Sequence, residues 1–112
     1  MSRRRPGRNK RKWVRDRMHH VRVRAKEHYG IDVTDDEIRA LQEQIASSLL
    51  TRRSPPVPRV HLVQEACLRR PYPIYVVAFG AQWLPVIYEH CRRTIHTVLP
   101  PELLPQEFSE PP

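Results

Sequence analysis

The sequence predicts an α+β domain in which two N-terminal helices pack on one face of a four-stranded antiparallel sheet, arranged as a meander. Three observations predict it: apolar residues recur every three or four positions in the first half of the chain, a proline-rich loop follows at residues 51–58, and beyond it the apolar period changes to two. With 112 residues, of which 39% are hydrophobic, the chain can form one small core. No apolar run approaches the roughly 18 residues of a membrane span, so no membrane partner is expected.

The first helix is predicted to begin at Trp13 and to stop at Gly30, because glycine is the residue that most often ends a helix. Its buried stripe follows the helical period and consists of Val14, Met18, Val21, Ala25 and Tyr29. Residues 1–12 have no apolar period and contain a Pro-Gly pair. They are therefore predicted to form a disordered basic arm.

The second helix has a capping box at its start, in which Thr34 and Glu37 each accept a hydrogen bond from the other's backbone N–H. Its buried stripe consists of Ile38, Leu41, Ile45 and Leu49. We expect this helix to end near Ser47 or Ser48.

Four strands are predicted beyond the proline-rich loop, at Arg59–Glu65, Tyr72–Phe79, Trp83–Glu89 and Thr94–Leu99. Pro85 lies inside the third strand and indicates a sheet edge or a bulge, since proline cannot donate to a strand ladder. Residues 101–112 are rich in proline and glutamate and are predicted to form a flexible tail, which leaves residues 13–100 as the single α+β domain.

In the fourth strand, strict alternation would place one set of side chains on one face and the other set on the opposite face. The first set is Thr94, His96 and Val98, and the second is Ile95, Thr97 and Leu99.

The positive charge is concentrated at the N-terminal end. Residues 1–30 carry twelve Lys and Arg against two acidic residues, a net of +10, while the whole chain carries +8. Arginine outnumbers lysine seventeen to three, and the guanidinium group can grip phosphate oxygens and stack on bases. The predicted nucleic-acid-binding residues are Arg3, Arg4, Arg5, Arg8, Lys10, Arg11, Lys12, Arg15, Arg17, Arg22 and Lys26. The predicted partner is RNA or a ribonucleoprotein; alternatively, the arm is a solvated tail whose arginine content reflects genome composition.

His20, Arg24 and His28 fall in one row at the border of the first helix's apolar stripe. Such a row suits phosphodiester chemistry, in which one imidazole takes a proton from a 2′-hydroxyl and the guanidinium stabilises charge on phosphorus. Alternatively, the row is a phosphate-binding face without catalysis. Two turns separate the histidines, too far for both to bind one ion, so neither a metal nor another cofactor is predicted.

The two cysteines, Cys67 and Cys91, are too few for a disulfide scaffold and lack the close pairing of a zinc site. No apolar segment follows the basic N-terminus as it would in a secretory signal. We therefore expect a cytoplasmic protein in which both cysteines are buried thiols.

The segment from His20 to Thr34 (HVRVRAKEHYGIDVT) resembles the first-helix motif of small phage and bacterial proteins. That motif contains histidine, three residues, arginine, two residues, a glutamate–arginine pair, an aromatic–glycine–isoleucine turn and a threonine-capped second helix. The segments VIY at 86–88 and RTIHTVLP at 93–100 resemble the last two strands of those proteins. They are grouped with the RelE-like, BrnT-like and barnase–EndoU–colicin class of metal-independent ribonuclease folds.

This resemblance covers residues 18–100 and implies a toxin-like domain that cleaves RNA in a bacterium or a phage-infected host cell, with an antitoxin as a further protein partner. Residue by residue it implies roles for His20, Arg24, Tyr88 and Thr97, although His28 stands where the family usually has arginine. With His28 from the helix row, these five are the candidate catalytic residues. Two further hypotheses stay open. One is a non-catalytic protein that binds RNA, DNA or a ribonucleoprotein through the arm and first helix, and the other is a structural subunit of a larger assembly.

Overall fold

The computed structural model describes the backbone over residues 6–50 and 59–112 and the side chains over residues 12–48 and 59–112. Two helices are followed by an antiparallel meander with strand order β1-β2-β3-β4, so the predicted fold class is confirmed. The elements are α1 Pro6–Tyr29, α2 Asp35–Leu50, β1 Val60–Gln64, β2 Ile74–Phe79, β3 Gln82–Glu89, β4 Thr94–Val98 and two 3₁₀ helices, η1 Pro101–Leu103 and η2 Gln106–Phe108. The predicted loop at residues 51–58 lies outside the described residues.

Helix α1 begins at Pro6, well before the predicted start at Trp13. Of the predicted disordered arm, residues 6–12 are helical, and residues 1–5 lie outside the described residues. The correction has a physical reason: proline is favoured in the first turn of a helix, and the arginines and lysines that follow are good helix formers. At the other end Gly30 adopts a φ of 66° and donates its N–H to the Lys26 carbonyl, as its predicted role requires.

The capping box of α2 is present as predicted. The Thr34 N–H donates to the Glu37 carboxylate at 2.9 Å, and the Glu37 N–H donates to the Thr34 hydroxyl at 3.1 Å. The helix continues to Leu50, past the predicted end at Ser47 or Ser48. The Ser48 hydroxyl donates to the Ile45 carbonyl, so this serine is satisfied within the helix and does not end it.

The main core lies between the two helices and the inner face of the sheet. Its buried residues are Met18, Val21, Ala25, Val33, Ile38, Leu41, Ile45, Val60, Tyr75, Val77, Leu84, Val86, Tyr88, Ile95 and Val98. The helix stripes predicted from the sequence supply most of the helical half of this core. Helix α1 packs mainly on β4, which is an edge strand of the sheet.

The C-terminal segment covers the outer face of the sheet, which corrects the prediction of a flexible tail. Phe108 of η2 is buried against Val76, Ala78 and Trp83, and the Trp83 indole N–H donates to the Glu110 carbonyl at 2.9 Å. We name Val76, Ala78, Trp83 and Phe108 the outer cluster. The physical reason is in β2, where five consecutive buried residues leave both faces of the strand in need of cover.

Pro85 lies in β3, which has a neighbour on each side, and it is fully buried. The prediction of a sheet edge at Pro85 is therefore wrong. In a hydrogen-bonded antiparallel pair each residue normally donates and accepts, but here only the Leu99 N–H can donate, to the Pro85 carbonyl at 2.8 Å. The Tyr29 hydroxyl donates to the Leu99 carbonyl at 2.7 Å and so replaces the donor that proline lacks.

A β-bulge in β4 overturns the predicted alternation of its side chains. Val86 pairs with Val98 and Tyr88 with Ile95, so β4 has one residue more than β3 between these two pairs. As a result Ile95 and Val98, three positions apart, both enter the core. His96 and the neighbouring threonine are left at the edge of the sheet, beside α1.

Candidate functional site

His20 and Thr97 are brought together where α1 crosses β4. The His20 Nε2 and the Thr97 Oγ1 are 3.1 Å apart and hydrogen-bonded, and both side chains are half-buried. The helical period places His20 at the rim of the buried stripe, and the bulge in β4 leaves Thr97 facing it. Two of the five candidate catalytic residues therefore meet.

Arg17 lies one turn before His20 on the same row of α1 and contacts the same strand. Its Nη1 donates to the His96 carbonyl at 3.1 Å, and its guanidinium carbon lies 5.4 Å from the centre of the Trp13 ring. The Arg17 Nε is buried and has no hydrogen-bond partner within the described part of the chain. The guanidinium is therefore held at the strand edge by one backbone contact.

The contacts continue around a closed circuit of side chains. The guanidinium carbon of Arg92 lies 4.3 Å from the Trp13 ring centre, and its Nε lies 3.6 Å from the Glu89 carboxylate. The neighbouring Glu89 carboxylate raises the pKa of the Tyr72 phenol. The Tyr72 ring in turn lies 5.3 Å from the His96 ring, centre to centre. We name the whole group the edge cluster: Trp13, Arg17, His20, Tyr72, Glu89, Arg92, His96 and Thr97.

Both histidines of the edge cluster favour the neutral form. Burial lowers the pKa of His20 below its usual value, the positive charges of Arg24 and Arg17 lower it further, and Glu27 opposes them. Burial also lowers the pKa of His96, again with a contribution from Arg17. Since an unperturbed histidine has a pKa near 6.5, both rings are mainly neutral at pH 7 and can accept a proton there.

The arrangement can carry out proton transfer beside an anion. The imidazoles of His20 on α1 and His96 on β4 lie at one edge of the sheet. The Arg17 guanidinium donates to the His96 carbonyl, and its charge acts on both rings. General acid–base catalysis of phosphodiester cleavage requires two proton-transfer groups and a cation for the charge that develops on phosphorus. Among the described residues, no three His, Cys, Asp or Glu side chains gather as metal ligands would.

The other three candidate catalytic residues lie apart from the His20–Thr97 contact. Arg24 extends along α1 and pairs with Glu27 at 2.8 Å, close enough for its charge to act on His20. His28 lies two turns from His20, against Tyr29. Tyr88 is fully buried in the main core, and its hydroxyl has no hydrogen-bond partner among the described residues. A side chain in that position cannot touch a substrate, so its assignment as a catalytic residue is corrected.

Apart from Arg17, which belongs to the edge cluster, the predicted nucleic-acid-binding residues divide into three groups: those whose side chains are not described, those that are exposed and those in ion pairs. Arg3, Arg4 and Arg5 lie outside the described residues, and Arg8, Lys10 and Arg11 lie on α1, where only the backbone is described. The side chains of Lys12 and Arg15 are exposed. Arg22 pairs with Asp35 at 2.6 Å, and Lys26 pairs with Asp32 at 3.4 Å, so these two connect α1 to the start of α2.

Sequence reasoning missed five members of the edge cluster as site residues: Trp13, Tyr72, Glu89, Arg92 and His96. A signal for the first was present, because Trp13 is four positions before Arg17 and seven before His20, on the same helical row. For His96 the signal was the three-residue spacing of the apolar Ile95 and Val98, which strict alternation cannot bury together. No local signal connects Tyr72 or Glu89 with α1.

Two further findings concern the rest of the chain. Cys67 and Cys91 are both free and exposed, which corrects the prediction that they are buried. Neither helix of the described part has the length and apolar character that would let it cross a membrane.

Comparison with known proteins finds no match, since neither a protein-family model, nor a curated protein, nor a solved structure is significantly similar to this chain. The resemblance to metal-independent ribonucleases therefore rests on the short motifs of the sequence alone and stays a prediction.

Proposed function

We propose that the protein binds RNA across the edge cluster and cleaves it by transesterification without a metal ion. The observation that carries this proposal is the His20–Thr97 hydrogen bond at the junction of α1 and β4. It fixes an imidazole of lowered pKa on the basic helix; β4 adds His96 to the same cluster, and α1 adds Arg17, which donates to the His96 carbonyl. This arrangement supports a site that would combine proton transfer with phosphate binding at one edge of the sheet.

In the proposed reaction one of the two imidazoles, His20 or His96, accepts the proton of a ribose 2′-hydroxyl, and the resulting oxyanion attacks the adjacent phosphorus. The bond from phosphorus to the 5′-oxygen breaks, and the other imidazole, which takes up a proton from solvent when the phosphate anion binds beside it, donates that proton to the leaving oxygen. The products are a 2′,3′-cyclic phosphate and a 5′-hydroxyl. Arg17 stabilises the negative charge that develops on the phosphoryl oxygens.

The test is cleavage of a short fluorescent single-stranded RNA in buffer containing EDTA. His20→Ala and His96→Ala should each lower the rate by about 10²–10⁴-fold, the usual contribution of one acid–base group. The matched control is His61→Ala, because His61 lies in ring contact with Trp83 and Phe108 on the outer face. This variant should cleave at the wild-type rate, and circular dichroism should show that all three variants are folded.

Replacing the attacking ribose by 2′-deoxyribose should abolish cleavage, because the nucleophile is then missing. If the native protein binds the RNA but leaves it intact, or if the control variant loses as much activity as the two site variants, the catalytic proposal is wrong.

A second candidate function is RNA binding without cleavage. It is favoured by the net charge of +10 on residues 1–30 and by the burial of Tyr88, which removes one candidate catalytic group. Under this alternative His20→Ala binds RNA as well as the native protein does. Affinity should fall by roughly 0.7–0.9 logarithmic units for each tenfold rise in salt concentration and for each phosphate contact.

The exposed cations of α1 provide a matched comparison of binding. Lys12→Gln with Arg15→Gln should weaken RNA binding and make it less sensitive to salt, because two phosphate contacts are lost. Arg39→Gln with Arg59→Gln removes the same charge from exposed positions on α2 and before β1. Equal loss of affinity in both pairs would mean that only net charge matters.

A further inference from the structure

Two aromatic side chains of the edge cluster stand outside both hydrophobic clusters. Trp13 and Tyr72 are half-buried, and neither belongs to the main core or to the outer cluster. The sequence contains only eight Phe, Trp and Tyr residues, and burying such a ring is among the largest apolar gains available to a small domain. Because Trp13 and Tyr72 remain half-exposed, core packing does not account for them, whereas contact with a ligand would.

Both rings contact flat, cationic or heteroaromatic groups. The Arg92 guanidinium lies 4.3 Å from the Trp13 ring centre, and Arg17 lies at 5.4 Å. The Tyr72 and His96 rings lie 5.3 Å apart with an interplanar angle of 37°. Flat side chains interleaved with guanidinium groups are the composition that stacks nucleobases while the cations hold the phosphates.

We infer that Trp13 and Tyr72 form a base-stacking subsite that makes single-stranded RNA, and not duplex, the ligand of the edge cluster. This inference rests on the proposed RNA binding and adds the class of RNA. In a duplex the base faces are already stacked on one another, so a side-chain ring cannot reach them without unpairing. In a single strand the bases adjoining the scissile phosphate are free to stack.

The test measures affinity by fluorescence anisotropy with two probes, a short 2′-O-methylated single strand and the same strand annealed to its complement. Methylation blocks the 2′-hydroxyl, so that binding is read without cleavage. The native protein should prefer the single strand. Trp13→Leu and Tyr72→Leu should each weaken single-strand binding by about 5- to 100-fold, the range that one stacked base contributes, and leave duplex binding unchanged.

The conservative variants Trp13→Phe and Tyr72→Phe are the matched controls. Each keeps an aromatic face and should retain most of the affinity. If the two rings had a purely structural role, the leucine variants would lose affinity together with a lowered melting temperature. A direct signal comes from the Trp83→Phe variant, in which Trp13 is the remaining tryptophan. Its fluorescence should be quenched by the single strand and not by the duplex.

The outcomes separate this inference from the proposed function. If both probes bind equally and the leucine variants change neither affinity, the stacking subsite is wrong while RNA binding stands. If neither probe binds the native protein even in dilute salt, the proposed RNA binding is wrong and the subsite with it.

Discussion

Two of the places where histidine and aromatic rings meet in the described part of the chain differ in their surroundings: the edge cluster and the outer face of the sheet. In the edge cluster His96 lies against Tyr72 among Arg17, Arg92 and Glu89. On the outer face His61 lies 5.4 Å from Trp83 and 5.2 Å from Phe108, ring centre to ring centre, beneath the C-terminal segment. In the edge cluster the aromatic rings are half-buried among charged side chains, whereas on the outer face Trp83 and Phe108 are buried.

The difference shows which contacts point to ligand binding. At the outer face the rings bury one another, and the Trp83 N–H donates to the Glu110 carbonyl, so folding alone accounts for the arrangement. At the edge of β4 the Trp13 and Tyr72 rings remain half-buried and belong to neither hydrophobic cluster. Aromatic rings that remain partly open at the surface are typical of places where another molecule binds.

The largest expected effect on stability comes from removing the Phe108 ring from the outer cluster. Phe108→Ala should lower the free energy of unfolding by about 3 kcal/mol, because it leaves a cavity beside Trp83 and releases the tail. Urea denaturation measures this effect. Phe108→Leu should cost less, and RNA affinity should stay the same in both variants when they are measured well below their unfolding midpoints. A parallel loss of affinity would show that the two clusters are not independent.

A smaller effect is expected from Tyr29→Phe, which tests how the edge strand is joined to the sheet. The substitution removes the hydroxyl that donates to the Leu99 carbonyl at 2.7 Å, in place of the N–H that Pro85 lacks. Because the ring stays, the expected loss is that of one hydrogen bond, about 1 kcal/mol in the free energy of unfolding. Amide exchange at the C-terminal end of β4 should quicken at the same time.

The matched control for that hydrogen bond is the proline itself. Pro85→Val restores a backbone N–H that can donate to the Leu99 carbonyl. Tyr29→Phe should therefore lower the free energy of unfolding less in the Pro85→Val background than in the native chain. If the two substitutions are strictly additive, the proposed replacement of donors is wrong.

Most of the fold could be predicted from the sequence, because each element depends on a local pattern. The helical stripe of α1, the capping box at Thr34 and the change of period after the proline-rich loop are all readable within a few residues. The outer face was missed, although the uninterrupted apolar run of β2 already requires cover on both sides. Phe108 alone, in a proline-rich tail, gives no local signal of the surface it meets.

The helical pattern predicted the site only where it lies on α1, and Thr97 of β4 was named through the resemblance alone. His20 and Arg17 follow from the helical row, whereas the partners from β4 depend on a bulge that shifts the alternation by one residue. Tyr88 illustrates the opposite error: its alternation with Val86 places it in the core, yet it was included in the site through a resemblance. Residues from separate elements meet only after the sheet register is known.

The smallest expected effect is the pH dependence of stability. It distinguishes the two regions because the two histidines with lowered pKa values both lie in the edge cluster. Burial and neighbouring arginines lower the pKa values of His20 and His96 in the folded state. The unfolded chain, with histidine pKa values near 6.5, therefore binds more protons than the folded chain below that pH. Their contribution to stability is complete above about pH 6.5 and is lost as the pH falls through the lowered folded-state pKa values.

Urea denaturation between about pH 7 and pH 5.5 measures this loss. The double variant His20→Gln with His96→Gln should show a shallower decline than the native protein, because two of the groups that take up protons on unfolding are gone. Val76→Ala, in the fully buried part of the outer cluster, should lower stability by a similar amount at both pH values and leave the slope unchanged. Bound RNA should reduce the native decline, since phosphate next to the imidazoles favours their protonated form and so works against the lowering by arginine. An unchanged slope in the double variant would mean that the two histidines do not titrate differently in the folded and unfolded states, and the electrostatic part of the proposed site would be wrong.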